Sequence, residues 1–429
     1  MREPEDLRQT EEDATCSAGV TLSFLSRTFR AFRYRDFRLM WMGACASTVG
    51  TFVQQFAQSW LVYDLTKDPF YLGLDLFLGQ LPIMMFSLFG GVFADRLDRR
   101  KMLLASQYIQ MVCAFILAVL FATHAVRVWH ILTLSFVVGL GQSFGGPAYS
   151  AILPTLVDPE DLSNAIAMNS IQFNLARVLG PTIGGVAYTT LGATYCFTLN
   201  GVSYIAVIVS LFMIHVEFVP PKSRVRVLDS LKEGVRFIRQ RDGMSSLVLL
   251  AFCTTLFGFS LTGFLPVFVQ TVFRQGPKIY TMLLVASGAG SICGALAVAA
   301  LGKSRGQGRL ALLILICLGL ATAGFAYSRW LPLSCLLLFL GGAAMMASTS
   351  LMLSIAQLIA TNAIRGRVMS VYNLALRAGF PLGGLLLGRL VPTLGISTAF
   401  GGAGLMLLVV SLYFLLLKRD TAFRTAHDA

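Results

Sequence analysis

The chain has 429 residues; 56% are hydrophobic and 13% charged, and 34 Lys and Arg against 21 Asp and Glu leave a formal net charge of +13. With its 40 Gly counted, the apolar share is about 65%, against roughly 45–50% in soluble domains. No water-soluble core hides that much apolar surface, which excludes a soluble enzyme, a disordered tail and a nucleic-acid module. An all-α membrane protein of about twelve spans fits the hydrophobic total.

In chain order, residues 1–36 are expected to form a cytoplasmic N-terminal segment; its first twenty residues are polar and acidic and predict no cleavable signal peptide. The aromatic–arginine stretch from Phe29 to Arg38 reads as an amphipathic surface helix or juxtamembrane anchor on anionic headgroups. Apolar stretches then predict helices near 37–63, 70–93, 102–123, 128–152, 163–189 and 193–214. A polar connector follows over 215–245. Within it Leu228, Leu231, Val235 and Ile238 recur at helical spacing and predict an amphipathic helix. Six further stretches lie near 246–272, 278–301, 310–327, 331–356, 368–391 and 396–417, and a tail closes over 418–429. No period-two alternation runs through them, so a transmembrane β-barrel is excluded. The organisation predicted is two six-helix bundles, 37–214 and 246–417, joined by the connector.

With the N-terminus assigned to the cytoplasm, inside segments hold 26 Lys and Arg and outside segments 6, while Arg177 and Arg377 lie within helices. That bias predicts a multi-pass protein of the cell membrane with both termini cytoplasmic. The eight cysteines are scattered without a CxxC pair, and predict neither a disulfide frame nor a metal site. No cofactor is implied.

An internal repeat is visible. Arg177, Pro181 and the pair Gly184-Gly185 in the fifth stretch reappear as Arg377, Pro381 and Gly383-Gly384 in the eleventh, offset by 200 residues for Arg and Pro and 199 for the pair. The repeat predicts that spans 7–12 duplicate spans 1–6, an arrangement of transporters that hold substrate near the midplane between halves. Proline and glycine at these positions bend or thin the helices.

The loop between spans 2 and 3 reads Gly90-Gly91-Val-Phe-Ala-Asp95-Arg96-Leu-Asp98-Arg99-Arg100-Lys101. It resembles the signature loop of the major facilitator superfamily, with Asp98 where the second glycine of that motif usually stands. Gly180-Pro181-Thr-Ile-Gly184-Gly185 resembles the GPxxGG motif of facilitator antiporters. Phe37 to Trp41, Ala94 to Arg100 and Arg365 to Ser370 resemble the transmembrane secretion effector branch, which includes enterobactin exporters and macrolide efflux proteins. The resemblance covers roughly residues 30–417 and implies the major facilitator fold, with a gating role for Gly91, Asp95, Arg96, Arg99 and Arg100. Gly91 lets span 2 approach a neighbour closely. Asp95 is placed to cap a helix N-terminus, a contact contributing about 0.3–1 kcal/mol when exposed. The resemblance names that partner as the start of span 11, after Arg365-Gly-Arg367, in a contact that breaks when the halves rock. Topogenic charge alone is the simpler reading of the arginines.

Arg at the bilayer centre costs about 2.5–3.5 kcal/mol on insertion scales, so Arg177 and Arg377 are expected to face the bundle interior. There they bind an anionic substrate group, organise the interface between halves, or pack against carbonyls. No Asp or Glu lies between Gly243 and Arg419, so the second membrane half has no acid. Asp75, a turn or more into span 2, is the candidate for proton coupling; the alternative is an outer-rim acid facing water. The Arg found in span 4 of many drug–proton antiporters is missing near 136–142. Gln54, Gln58, Asn169, Gln172, Asn174 and Asn373 sit amid aromatics and Met. They predict either a large, mostly apolar cavity suited to a bulky amphipathic molecule or a set of interhelical hydrogen bonds.

The function expected is secondary active export of a small amphipathic organic compound by a monomer using alternating access and proton coupling. A metabolite importer or uniporter shares every fold signal. A membrane-embedded enzyme would need a convergent acid, histidine or metal cluster, and the acid-free half argues against it. No Walker A sequence is present, so the chain is not by itself an ATP-driven pump.

Overall fold

Backbone N–H and C=O groups immersed in lipid find no water, so a spanning chain must satisfy them within helices. The computed structural model describes residues 29–215, 227–241, 243–301, 306–361 and 364–416, except for the side chains of 88, 92, 94–96 and 227–231. The first half contains α1 (Arg35–Thr66), α2 (Pro69–Arg96), α3 (Arg99–Ala122), α4 (Val128–Ile152), α5 (Leu162–Thr190) and α6 (Ala193–Met213). The connector forms α7 (Val227–Gln240). The second half contains α8 (244–273), α9 (Pro277–Leu301), α10 (Gln307–Tyr327), α11 (Leu331–Ile359), α12 (Arg365–Leu394) and α13 (Ile396–Leu416). Every predicted stretch but the seventh falls on one helix, and the seventh falls on the run of helical segments from Met244 to Phe273 that makes up α8; all ends agree within 3 residues. Most of the difference is extension over terminal charges such as Arg35, Arg96, Arg99 and Arg365. Long cationic side chains let a helix run past its apolar stretch, and Arg35 and Arg365 are exposed at such ends.

Ten of the described helices are long and apolar enough to cross a membrane by composition. The two long ones outside that group, α1 and α5, carry most of the polar candidates. Local chemistry sets several boundaries. Asp68 Oδ1 accepts from the Phe70 N–H at 2.9 Å, and Pro69 opens α2 where its missing N–H has no consequence. Asp98 is the N-cap of α3, its Oδ1 accepting from Arg100 N at 2.9 Å and Lys101 N at 3.3 Å. That explains the residue found in place of the motif's glycine.

The two halves pack alike. In the first, α1 lies against α5 and α6, α2 against α4, and α3 against α4 and α6. In the second, α8 lies against α12 and α13, α9 against α11, and α10 against α11 and α13. The halves meet chiefly where α2 crosses α12 and α5 crosses α9. One asymmetry is that α8 is not a plain helix. It passes through π-helical segments Thr254–Phe259 and Val269–Phe273.

The aromatic–arginine stretch departs from the surface helix expected. It divides into a 3-10 turn, Arg30–Arg33, docked on the segment leading into α5, and the first residues of α1. Tyr34 donates to Asp158 at 2.7 Å and to Asp161 at 3.0 Å, Arg33 pairs with Asp161 at 3.0 Å, and the Ala31 N–H donates to Asn164 at 2.9 Å. Residues 158–161 contain three acids, and two of them, Asp158 and Asp161, engage this turn. The connector helix clamps the corresponding segment of the second half: Glu233 pairs with Arg367, and Gly234 lies against the Arg367 backbone. Ile238 is buried there, while Leu228 and Leu231 lie outside the described side chains.

Candidate functional site

The repeated glycine pairs do the same work twice. A Cβ on Gly184 would press on the Phe56 ring of α1, within its own half, and one on Gly185 would collide with Thr281 of α9 in the other half. Likewise Gly383 faces Leu256 and Ser260 of α8, and Gly384 faces Leu76 and Gly73 of α2. In each pair the first glycine admits its own half's opening helix and the second admits the opposite half. Pro181 has no N–H, so the carbonyl of Arg177, four residues earlier, is released from the helix ladder, and Pro381 does the same to Arg377. The interface is tightest near the end that carries Asp68. A Cβ on Gly73 would collide with the Gly384 carbonyl, Tyr280 stacks on Phe56 with centroids 4.6 Å apart, and Lys67 donates to Gln270 at 3.1 Å.

Asp75 is 7% exposed, not a rim acid facing water. The Gln58 amide donates to its two oxygens at 2.8 and 3.1 Å and to Ser135 at 2.9 Å, and the Ser135 hydroxyl donates to Asp75 at 2.6 Å. Behind Gln58 stands a line of amides. Asn200 donates to Gln54 at 2.6 Å, and Gln54 donates to Gln58 at 3.4 Å. Each amide turns its N–H toward the carboxylate, so their dipoles add and reinforce one another in low dielectric. The line ties α6, α1, α2 and α4 around a single buried acid.

The other polar candidates divide. Gln172 donates to Thr48 at 2.7 Å, and Asn169 accepts from Tyr149 at 2.7 Å, so both are spent on contacts inside the first half. Asn174 donates to the Ser170 carbonyl at 2.8 Å, leaving its buried Oδ1 without a partner, and Asn373 is exposed on α12. Arg177 reaches across the interface. Its guanidinium lies 5.2 Å from the centre of the Phe259 ring on α8 and lines a cavity of about 30 Å3 with Thr262, Ser287, Thr322 and Met345. Arg377, its counterpart in the repeat, is exposed and does not share this setting.

In the motif loop, Arg99 donates to the Ala151 carbonyl at 3.1 Å, and Arg100 donates to the Phe212 carbonyl at 3.0 Å with its guanidinium near the Phe212 ring. Both bind α3 to neighbours in its own half. A Cβ on Gly91 or on Gly366 would meet open space, so the close helix approach expected at Gly91 is not found there. The Asp95 and Arg96 side chains lie outside the described residues.

Sequence reasoning missed Ser135, Asn200, Phe259 and the acids at 158 and 161. Ser135 and Asn200 are single small polar residues in apolar helices, without a spacing signal. The acids had one available signal, since theirs is the loop counted as inside that contains no Lys or Arg.

A family model described as transmembrane secretion effector matches residues 26–425. The staphyloferrin A transporter of Staphylococcus aureus (strain NCTC 8325 / PS 47) is 23% identical over 373 residues, covering 86% of this chain and 93% of that protein. The multidrug efflux pump Tap of Mycolicibacterium fortuitum is 25% identical over 391 residues, covering 89% and 95%. The enterobactin exporter EntS of Shigella boydii serotype 18 (strain CDC 3083-94 / BS512) is 26% identical over 364 residues, covering 82% and 85%. Among solved structures, a bacterial homologue of the human lysosomal transporter Spinster superposes with a TM-score of 0.68 at 14% identity over 92% of this chain and 97% of that one. A D-xylose–proton symporter gives 0.69 at 12% identity over 88% and 97%. The matched model spans nearly the whole chain, and the paired bundles agree with it: the chain belongs to the transmembrane secretion effector family of the major facilitator superfamily, a family of multi-pass membrane transporters.

Proposed function

We propose that this protein exports a bulky amphipathic organic compound across the cell membrane by proton-coupled alternating access, with both termini in the cytoplasm. The observation that carries the coupling is the setting of Asp75, a buried acid held by Gln58 and Ser135 at the end of the amide line. A coupling site must release and take up one proton as access alternates. Ionised, Asp75 accepts from both Gln58 and Ser135. Protonated, one of its oxygens becomes a donor while the other still accepts, so the Gln58 N–H or the Ser135 hydroxyl that faces the protonated oxygen must turn away. The change passes through Gln58 and Gln54 on α1 to Asn200 on α6, and so into the packing of the first half. The names of the relatives, an efflux pump and two siderophore transporters, support export of organic molecules. In the motif loop, Asp98, Arg99 and Arg100 hold the start of α3 in place, leaving Asp95 as the group that engages the start of α12 when that side closes.

The test uses inside-out membrane vesicles with an internal pH probe and a panel of macrolides, siderophores and lipophilic cations. Addition of a substrate is expected to dissipate the proton gradient in vesicles with the native chain. Asp75→Asn is expected to insert at normal level and abolish the response. A response of native size in that variant would remove Asp75 from the coupling step, and accumulation against the opposite gradient would reverse the direction.

A further inference from the structure

Arg177 is a cation without a counter-ion. It makes no hydrogen bond or ion pair among the described residues, and its guanidinium lies over the face of Phe259. The opposite half cannot supply a partner at any stage of transport, because no acid occurs between Gly243 and Arg419. Asp75 is already engaged by Gln58 and Ser135. Arg177 is half-buried, and withdrawing a guanidinium from water without an anion is costly.

The surroundings are shaped to present this group rather than to bury it. At Gly288 the two halves approach so closely that a Cβ would sit 3.0 Å from Val178 and 3.4 Å from the Arg177 carbonyl, so α5 crosses α9 with the Arg177 side chain directed into the second half. There α8 widens into its π-segment Thr254–Phe259, which carries the Phe259 ring. Such bulges are frequent at functional sites. The cavity of about 30 Å3 has mostly apolar walls, among them Leu318, Leu337 and Met345, with Thr262, Ser287 and Thr322 as its hydroxyl residues. That volume suits the head of a ligand and not its body, since a single water needs about 10–15 Å3. One turn earlier, on the same face of α5, Asn174 Oδ1 also lacks a partner.

We infer that Arg177 is the anion-binding residue of the transport site: it takes a planar anionic head, of the carboxylate class, from an amphipathic organic substrate. The guanidinium fork matches a carboxylate with two parallel hydrogen bonds. Phe259 supports the guanidinium from its face, and Asn174 accepts from a hydroxyl or N–H near the head. Because Arg177 belongs to the first half and its cavity to the second, a bound anion lies across the seam that must open and close. The inference rests on the export reading and narrows its substrate to anions.

The test compares acids with their neutral amides. The full-length protein in nanodiscs is titrated with 2-naphthoate, 9-anthracenecarboxylate and dansylglycine, and with the corresponding amides, while thermal unfolding is followed. Saturable stabilisation by at least one acid is expected, with the amide weaker by about ten- to a hundredfold, the range set by a charge-assisted hydrogen bond. Arg177→Gln is expected to erase the difference and Arg377→Gln to preserve it; Arg177→Lys, which keeps the charge and loses the fork, should retain a reduced preference. Three results overturn the inference: no acid binds the native protein, acid and amide bind it equally, or the preference survives Arg177→Gln. If Arg177→Gln fails to fold, the native comparison and Arg177→Lys still decide. Translocation of dansylglycine in proteoliposomes separates the two readings. Acid-selective binding without movement of any compound sinks export and leaves the anion site, whereas equal movement of acid and amide sinks the anion site and leaves export.

Discussion

The glycine seam between the halves makes a quantitative prediction for Gly73→Ala. A Cβ at this position would lie 2.8 Å from the Gly384 carbonyl carbon and closer still to its oxygen, and ordinary contact begins at 3.4 Å. The obstacle is backbone, which no rotamer change relieves, so α2 and α12 must part by at least about 0.6 Å near Gly73. Over-packing of this kind costs about 1–3 kcal/mol. The cost falls only on conformations in which this end is shut. At 1.4 kcal/mol per tenfold it therefore shifts a two-state equilibrium about 5- to 150-fold toward the state open at the Asp68 end. The gain in helix propensity from Gly to Ala, about 0.8–1 kcal/mol, applies to both states and cancels. The assay is a spin-label distance between cysteines at the exposed positions 191 and 278, on opposite halves at that end, in a background without the native cysteines. Gly73→Ala should raise the population of the longer distance. Gly402→Ala, where a Cβ meets open space, should leave it unchanged. Identical distance distributions for Gly73→Ala and the native chain would show that the seam is not the closed contact of a moving interface.

Three further tests address other parts of the molecule. Ser135→Ala removes a 2.6 Å hydrogen bond to the Asp75 carboxylate, which should lower unfolding stability by about 1.5–3 kcal/mol and slow proton-coupled flux; an unchanged unfolding midpoint would contradict the contact. Asp161→Asn weakens the clamp held by Arg33 and Tyr34, so trypsin should cut faster at Arg30 and Arg33, while an unaltered cleavage rate would show that the turn is held by other means. In the same clamp, burial and then the Asp158 hydrogen bond raise the Tyr34 phenol above its ordinary value of 10.0. The protonated phenol is the donor, so the clamp should persist below pH 10 and loosen as pH climbs through the raised value, as the cleavage rate reports. Asp95→Ala should reduce turnover far more than substrate binding, and a native rate would remove it from the gate.

Composition and hydropathy alone determined the helical membrane class and where the apolar stretches lie, because an apolar span has one solution in a bilayer and its length is set by bilayer thickness. The repeat was equally legible, since Arg, Pro and Gly pairs recur at a fixed offset and each residue type imposes its own backbone consequence. Tertiary structure decided what those residues touch. Arg177 and Arg377 are equivalent in sequence, yet one lines a cavity beside Phe259 and the other is exposed, and the π-segment of α8 that carries Phe259 has no counterpart in α1. Asp75 could be ranked by depth, but Ser135 lies 60 residues away and Asn200 a further 65, and no local spacing links them. Aromatic and arginine residues ahead of α1 gave the same pattern for a lipid anchor and for a protein clamp. The choice belonged to Asp158 and Asp161, which are distant in the chain and reach the turn only when α1 and α5 pack together. Lipid fixes the form of each helix through its own backbone, whereas a side chain's partner depends on which faces are brought together.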